Sequence, residues 1–345
     1  MKIFIQVLGL ALLIGLLAAC SNNDNQSTSA QSDSGSNGGE VVLKIGSVNS
    51  DKHTLYKGYK KFQEIVEKET GGSVKVEIYP NGQLGDDRTM IEGLQLGTLE
   101  AVGVSTSMLA NWAPQMLAYD LPFAFPNREV AYKVLDGPYG QKAGKTLESE
   151  GIVLLSYMEN GFRHLTNDVK EVKSPSDIEG LKIRTMQTPM HIDTWKALGA
   201  NPTPMAYTEL FTAMQQGVID GQENPYGNIS VDKFYEVQKY LTETNHVYNP
   251  MGLVISKDFF GGLSEEQQKV IKEAAITASN YQRDLNEEKT KEYKKTLIDN
   301  GMQITELTEG QHQNFLESVQ SVYSEYEGEL GEENITEFLS EVEKY

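Results

Sequence analysis

Arg184 stands in the stretch GLKIRTMQTP, residues 180–189, where Leu181 and Ile183 read as a short strand entering a core. A guanidinium is always charged, and burying it without a partner costs several kcal/mol or more. Either an internal Asp or Glu closes the pair, or an anion from outside does. The guanidinium fork matches both oxygens of a carboxylate, so the chemistry on offer is carboxylate binding. Catalysis finds no comparable footing. The chain has no G-x-S-x-G, no H-E-x-x-H and no nucleophilic cysteine, and a non-enzyme without cofactor is expected. His53, His164, His191, His246 and His312 are scattered, without close ligand spacing. A metal receptor built from His164, His191 and His246 is the alternative, and no metal site is expected.

The ends bound where such chemistry would operate. Residues 1–20, MKIFIQVLGLALLIGLLAAC, place one lysine before an apolar run that ends in small residues and the single cysteine. This reads as a secretory signal over 1–19. The ending LAAC resembles the lipobox of bacterial lipoproteins, with cleavage before Cys20 and lipid on its thiol. A retained membrane anchor is the alternative. Residues 20–39 are Ser-, Asn- and Gly-rich with one Ala, too polar to offset their ordering entropy, and are expected to be a flexible tether. The formal charge is −19, and removal of 1–19 takes away only Lys2 and leaves −20. That argues against nucleic acid, which needs clustered cations, and leaves any anionic ligand to a local cationic site.

From Val41 strand-like and helix-like segments alternate. VVLKIGSV, VKVEIYP and EAVGVS read as strands. Between them Leu55, Tyr59, Phe62, Ile65 and Val66, then Met90, Ile91 and Leu94, recur at helical spacing. This βαβαβ run implies a largely parallel sheet with helices on both faces. GIVLLSYM, LKIR, GVIDGQ and MGLVIS read as further strands. Residues 264–300 carry one long charged helical pattern, and two shorter helical patterns close the chain. Trp112, Phe123 and Phe125 read as core rather than as ligand platforms. The strands cluster before Met158 and again from Leu181 to Gly221, which suggests an α/β protein of two lobes with a ligand cleft between them.

Several stretches together resemble the DctP family, the substrate-binding proteins of TRAP transporters. They are IYPNGQLGDDRTMIEGLQLGTLEA, YDLPFAF, ENGFRHLTN, SPSDIEGLKIRTM, LGANPTPMAYTELFTAMQQGVIDGQENP and FYEVQKYLTETNH, in the family's order over about residues 41–256. The resemblance implies a two-lobed, periplasmic-binding-protein-like fold (type II-like) with a long helix bridging both lobes. Lobe I would comprise 40–161 plus 250–290, and lobe II 162–249 plus 291–345. It also implies an extracytoplasmic receptor, monomeric and lipid-anchored through Cys20, that delivers a small organic acid to two membrane subunits driven by an ion gradient.

Residue by residue, the resemblance makes Arg184 the arginine that holds the ligand carboxylate. Arg163 matches a second arginine used on the same carboxylate or on a hydroxyl; a surface or interlobe salt bridge is its structural alternative. Glu159 would accept from sugar hydroxyls or orient Arg163, or else pair internally. Asn224 matches an asparagine whose amide contacts the ligand, against a plain turn role before Pro225. Tyr207 occupies an aromatic position beside the ligand, and Glu209 supports Arg184 or the helix start. On the first lobe, Asn49 and His53 follow a strand's carboxyl end and would face the cleft. Asp87 reaches the cleft or starts a helix, and Ser105, Thr106 and Met108 follow the third strand. Sialic-acid receptors of this family carry glutamate where Ser105 falls and arginine near Met108; this chain departs from both. ENGFR resembles receptors for sugar acids, so a hexuronate such as glucuronate or galacturonate is the first expectation. A C4-dicarboxylate such as malate, succinate or fumarate is the second.

Overall fold

The computed structural model describes residues 40–345, the side chain of Glu329 excepted. The expected signal, the tether and the lipidation site Cys20 lie outside the described residues. The chain begins with β1 (Val41–Gly46), α1 (Thr54–Glu69), β2 (Val74–Tyr79), α2 (Asp87–Gln95), β3 (Ala101–Ser105) and the short α3 (Thr106–Leu109). In α1, Leu55, Tyr59, Phe62 and Val66 are buried one turn apart on a single stripe, the pattern of a helix laid on a sheet. Gly71 and Gly72 stop it with φ of 60° and 82°, a backbone region that side chains disfavour.

After a 3-10 segment at Pro114–Asp120 come α4 (Arg128–Asp136), α5 (Pro138–Thr146), β4 (Ile152–Phe162), β5 (His164–Asn167), β6 (Lys182–Thr185), α6 (Pro189–Ala197), β7 (Asn201–Pro204) and α7 (Tyr207–Gln215). β8 (Gly221–Asn224), α8 (Tyr226–Val231), β9 (Tyr240–Glu243), β10 (Tyr248–Ser256) and α9 (Lys257–Gly261) follow. The chain closes with α10 (Glu265–Asp299), β11 (Gln303–Glu306), α11 (Glu309–Ser318), α12 (Gln320–Leu330) and α13 (Glu332–Glu343). Three helices, rather than the two expected, end the chain, because Val319 and Gly331 each interrupt the pattern.

The strands form two sheets, in the orders β2-β1-β3-β10-β4 and β11-β9-β5-β8-β6-β7. Both are mixed, where the sequence pattern had implied a largely parallel sheet. β10 runs antiparallel to β3 and β4, and β5 antiparallel to β8 and β9. The reason is topological. The chain leaves the first sheet through β4 into β5 and returns from β9 into β10, so the outgoing and incoming strands run in opposite directions. The segment GVIDGQ also differs from expectation: its first residues form a turn at Gly217, and the strand is Gly221–Asn224.

Helix α10 is one unbroken rod of 35 residues, about 52 Å long. A capping box starts it: Gln267 N–H donates to Ser264 Oγ and Ser264 N–H to Gln267 Oε1. Its first half puts Ile271, Ala274, Ala275 and Ala278 into the apolar cluster of the first sheet, with Leu43, Tyr59 and Leu253. Its second half puts Tyr293 and Leu297 into the cluster of the second, with Leu210, Ile229 and Leu241. Between the two, Gln282 clamps the β4 backbone, accepting from Glu159 N–H at 2.8 Å and donating to Glu159 O at 2.8 Å. β11 joins the second sheet, whereas Phe338 of α13 packs its ring on Tyr119, Phe125 and Tyr139. Among the described residues no helix is long and apolar enough to cross a membrane.

Candidate ligand-binding site

The carboxyl ends of β1, β2 and β3 face those of β6, β7 and β8, where open α/β sheets place their ligands. Loops of the first lobe meet helix starts of the second there: a Cβ on Gly82 would lie 2.7 Å from Thr208 of α7, and one on Gly227 of α8 2.7 Å from His53 Nε2. Asn111 Nδ2 also donates to Gln187 O at 3.5 Å.

Arg184 is the penultimate residue of β6 and is 2 % exposed. Nε and Nη2 both donate to Met205 O, at 3.0 and 2.8 Å. This fixes one edge of the guanidinium on a backbone carbonyl. Nη1 is buried with no hydrogen-bond partner, and Arg184 forms no ion pair among the described residues. Burial lowers its pKa to about 10, while Glu223 and Tyr207 act in its favour and Arg163 against it. The open edge carries two parallel N–H bonds suited to a carboxylate.

Tyr207, the first residue of α7, sets its ring 6.0 Å from the Arg184 guanidinium carbon. Its hydroxyl donates to Asp232 and accepts from Asn228 Nδ2 at 3.0 Å. From the first lobe, Asp87 at the start of α2 directs a buried, unpartnered Oδ1 inward. Burial raises its pKa to about 7, and the charge of Arg184 opposes that rise. Arg184, Tyr207 and Asp87 are thus brought together from three elements and both lobes.

The remaining expected residues are placed differently. Arg163 lies between β4 and β5, fully enclosed, with Nε and Nη2 on the carboxylate of Glu223 and Nη1 on Asn249 Oδ1 at 3.2 Å. Burial would raise the Glu223 pKa, but Arg163 and His246 overcome it and hold the carboxyl well below its usual range. Glu159 spends its Oε2 on Tyr132 at 2.8 Å and Asn286 at 3.1 Å, with Arg128 3.8 Å from Oε1, and bonds to nothing on Arg163. Asn224, which ends β8, donates to Gln222 Oε1 at 2.5 Å. Asn49 accepts from Ser47 Oγ within its own loop. Ser105 caps α3 and accepts from Asn249 Nδ2 at 2.8 Å. His53 caps α1, and burial lowers its pKa to about 4. Glu209 is exposed in the first turn of α7 and takes the helix-start role.

The sequence reading missed Glu223 and the groups around it. His246 Nε2 lies 3.0 Å from Glu223 Oε2, and the His191 ring lies between Glu223 and Asp120, 3.8 and 3.4 Å from their carboxylates. One signal was available: a buried Arg163 demands an acid, and Glu223 alternates with Asn224 on the same strand. Among the described residues no group of three His, Cys, Asp or Glu is placed to hold a metal ion. Cavities of about 390 and 210 Å³ are lined in common by Arg128, Phe162 and Asn245, and Gly227 also lines the smaller one.

The family model of DctP, bacterial extracellular solute-binding protein family 7, matches residues 45–329. The chain belongs to this family. Members of the DctP family are extracytoplasmic solute receptors of TRAP transporters, not enzymes, and they work with membrane subunits. The 2,3-diketo-L-gulonate-binding periplasmic protein YiaO of Escherichia coli is 39% identical over 243 residues, 70% of this chain and 74% of its own. The C4-dicarboxylate-binding protein DctB of Bacillus subtilis is 32% identical over 304 residues, 87% of this chain and 86% of its own. The crystal structure of the sugar acid binding protein DctPAm of Advenella mimigardefordensis, in complex with galactonate, superposes with a TM-score of 0.87 at 37% identity. It covers 89% of this chain and 99% of that one. Two lobes of mixed sheet are accordingly the architecture of this DctP receptor and of its structural relatives.

Proposed function

We propose that this receptor binds a small hydroxylated monocarboxylate, a sugar acid such as glucuronate or galacturonate, with Arg184 as the carboxylate anchor. One observation carries the reading. Of the two arginines expected at the ligand, Arg163 has its fork closed by Glu223, whereas Arg184 keeps one edge open. A single anchoring guanidinium suits a single carboxylate. A second carboxylate would find no second open guanidinium among the arginines expected at the ligand, because Arg163 is closed on Glu223, and an unpaired charge in a buried site is costly. Tyr207 would cover the carbon skeleton, and Asn224, Asn49, His53 and Ser105 would supply neutral polar contacts around it. Asp87 would accept from a hydroxyl.

Similarity to DctPAm, crystallised with galactonate, and to YiaO supports the sugar-acid class. Similarity to DctB over most of the chain favours the second reading, a C4-dicarboxylate such as succinate or malate. The leader and Cys20 fit a monomeric receptor tethered to the outer face of the membrane. A thermal-shift screen of uronates, aldonates and C4-dicarboxylates tests the ligand class, since a bound ligand raises the melting temperature by mass action. Stabilisation by glucuronate, galacturonate or galactonate is the expected outcome. Stabilisation by succinate or malate with none by the hydroxy acids overturns the first reading in favour of the second.

A further inference from the structure

Two hydrogen-bond relays, one in each lobe, end at the cleft in buried atoms without partners. In the first lobe Leu55 N–H donates to His53 Nδ1 at 3.2 Å. An acceptor nitrogen carries no proton, so in the neutral ring the proton sits on Nε2. Burial keeps the ring neutral, with a pKa lowered to about 4. His53 Nε2–H is therefore a donor, and it is buried with no acceptor.

In the second lobe the relay has the opposite polarity. Tyr207 donates its proton to Asp232, so its oxygen accepts from Asn228 Nδ2. That fixes the orientation of the Asn228 amide and leaves Oδ1 as the free end, again buried without a partner. The two ends belong to neighbouring surfaces: His53 Nε2 lies against Gly227, the residue before Asn228, close enough that a Cβ there would stand 2.7 Å away. Gly227 carries no positive φ, so its lack of a side chain serves space rather than backbone shape.

We infer that His53 Nε2–H and Asn228 Oδ1 hold one and the same ligand hydroxyl, which accepts from the histidine and donates to the asparagine beside Gly227. A hydroxyl is the group that does both. A carboxylate oxygen or a keto group satisfies His53 alone and leaves Asn228 Oδ1 desolvated and unpaired, which is the strong form of discrimination. The pair selects for a hydroxyl, and Tyr207 and Asp232 act as positioning residues behind it. This rests on the reading of Arg184 as the carboxylate anchor, and it adds a second fixed point on the ligand.

The test is calorimetry on the full chain with D-glucuronate, D-galacturonate, D-galactonate and succinate. His53→Ser keeps an N-cap oxygen for α1 and removes the ring donor; Asn228→Ala removes the acceptor. Each is expected to weaken the tightest of the three hydroxy acids by about tenfold. The double variant is expected to lose little more than either single one, because both act on one hydroxyl. Gly227→Ala, whose methyl would stand 2.7 Å from His53 Nε2 and displace the ring, is expected to weaken binding as His53→Ser does and gives a second probe of the histidine side. Single variants within twofold of wild type, or losses that multiply in full, overturn the inference while the sugar-acid reading stands. Binding of succinate alone, or of no hydroxy acid, overturns both.

Discussion

Replacing Arg184 by lysine keeps the charge and removes the fork. In the native protein Nε and Nη2 serve Met205 O while the opposite edge stays open. Lysine has one ammonium for both tasks. If it keeps to Met205 O, the ligand carboxylate loses its direct contacts; if it turns to the ligand, a buried carbonyl loses two donors. Either way at least one charge-assisted hydrogen bond disappears, worth about 1.5–3 kcal/mol. At about 1.4 kcal/mol per decade of affinity, the dissociation constant rises about 10- to 150-fold. Arg184→Ala should lose more, because the charge goes as well. The assay is isothermal titration calorimetry of ligand-free protein against the tightest hydroxy acid, with a thermal melt of each variant to establish folding. A lysine variant that folds and binds within twofold of wild type would refute the anchoring role. The alternative for Arg184 would then be a purely structural bond to Met205.

Other perturbations follow from the same geometry. Glu223→Gln leaves Arg163 buried beside a neutral amide and should cost about 3–5 kcal/mol of stability, read by urea unfolding; a loss under 1 kcal/mol would mean that the pair is not the anchor of the crossing strands. Asp87 has a folded pKa near 7 against 3.8 unfolded, so the native state holds the extra proton between these values and stability falls as pH rises through that window. His53, with its pKa lowered to about 4, acts in the opposite sense over an overlapping range. The stability of wild type relative to Asp87→Asn should therefore decline from pH 4 to pH 7 in melts; a flat difference would show that Asp87 titrates normally. A Cβ on Gly103 would lie 1.9 Å from Tyr59 Oη, so Gly103→Ala should destabilise by about 1–3 kcal/mol through overpacking of β3 against α1, and an unchanged melting temperature would contradict that.

Much of the architecture is set by contacts between near neighbours in sequence, and those were legible. The one-turn recurrence of Leu55, Tyr59, Phe62 and Val66 specifies α1 because residues three and four apart share a helix face. The uninterrupted pattern from 264 to 300 specifies α10 for the same reason, and the cation after Leu181 and Ile183 marks Arg184 at the end of a strand. Motif resemblance then pointed to the receptor family, and the family match and the two-sheet fold bear it out.

What tertiary structure alone decided is the partnership of each polar group. Arg163 and Glu223 are 60 residues apart, and nothing local shows that they meet. They do so because β5 and β8 pair antiparallel, with Leu165 opposite Glu223. The direction of β4 and β10 was equally hidden, since strand periodicity is the same in parallel and antiparallel pairs. His53 and Gly227 touch only because the start of α1 in one lobe and the start of α8 in the other converge. A sequence states which side chains carry charge and hydrogen-bonding atoms. Whether such an atom is satisfied within the chain or left open for a ligand depends on register and lobe packing, and these bring together residues that the sequence keeps far apart.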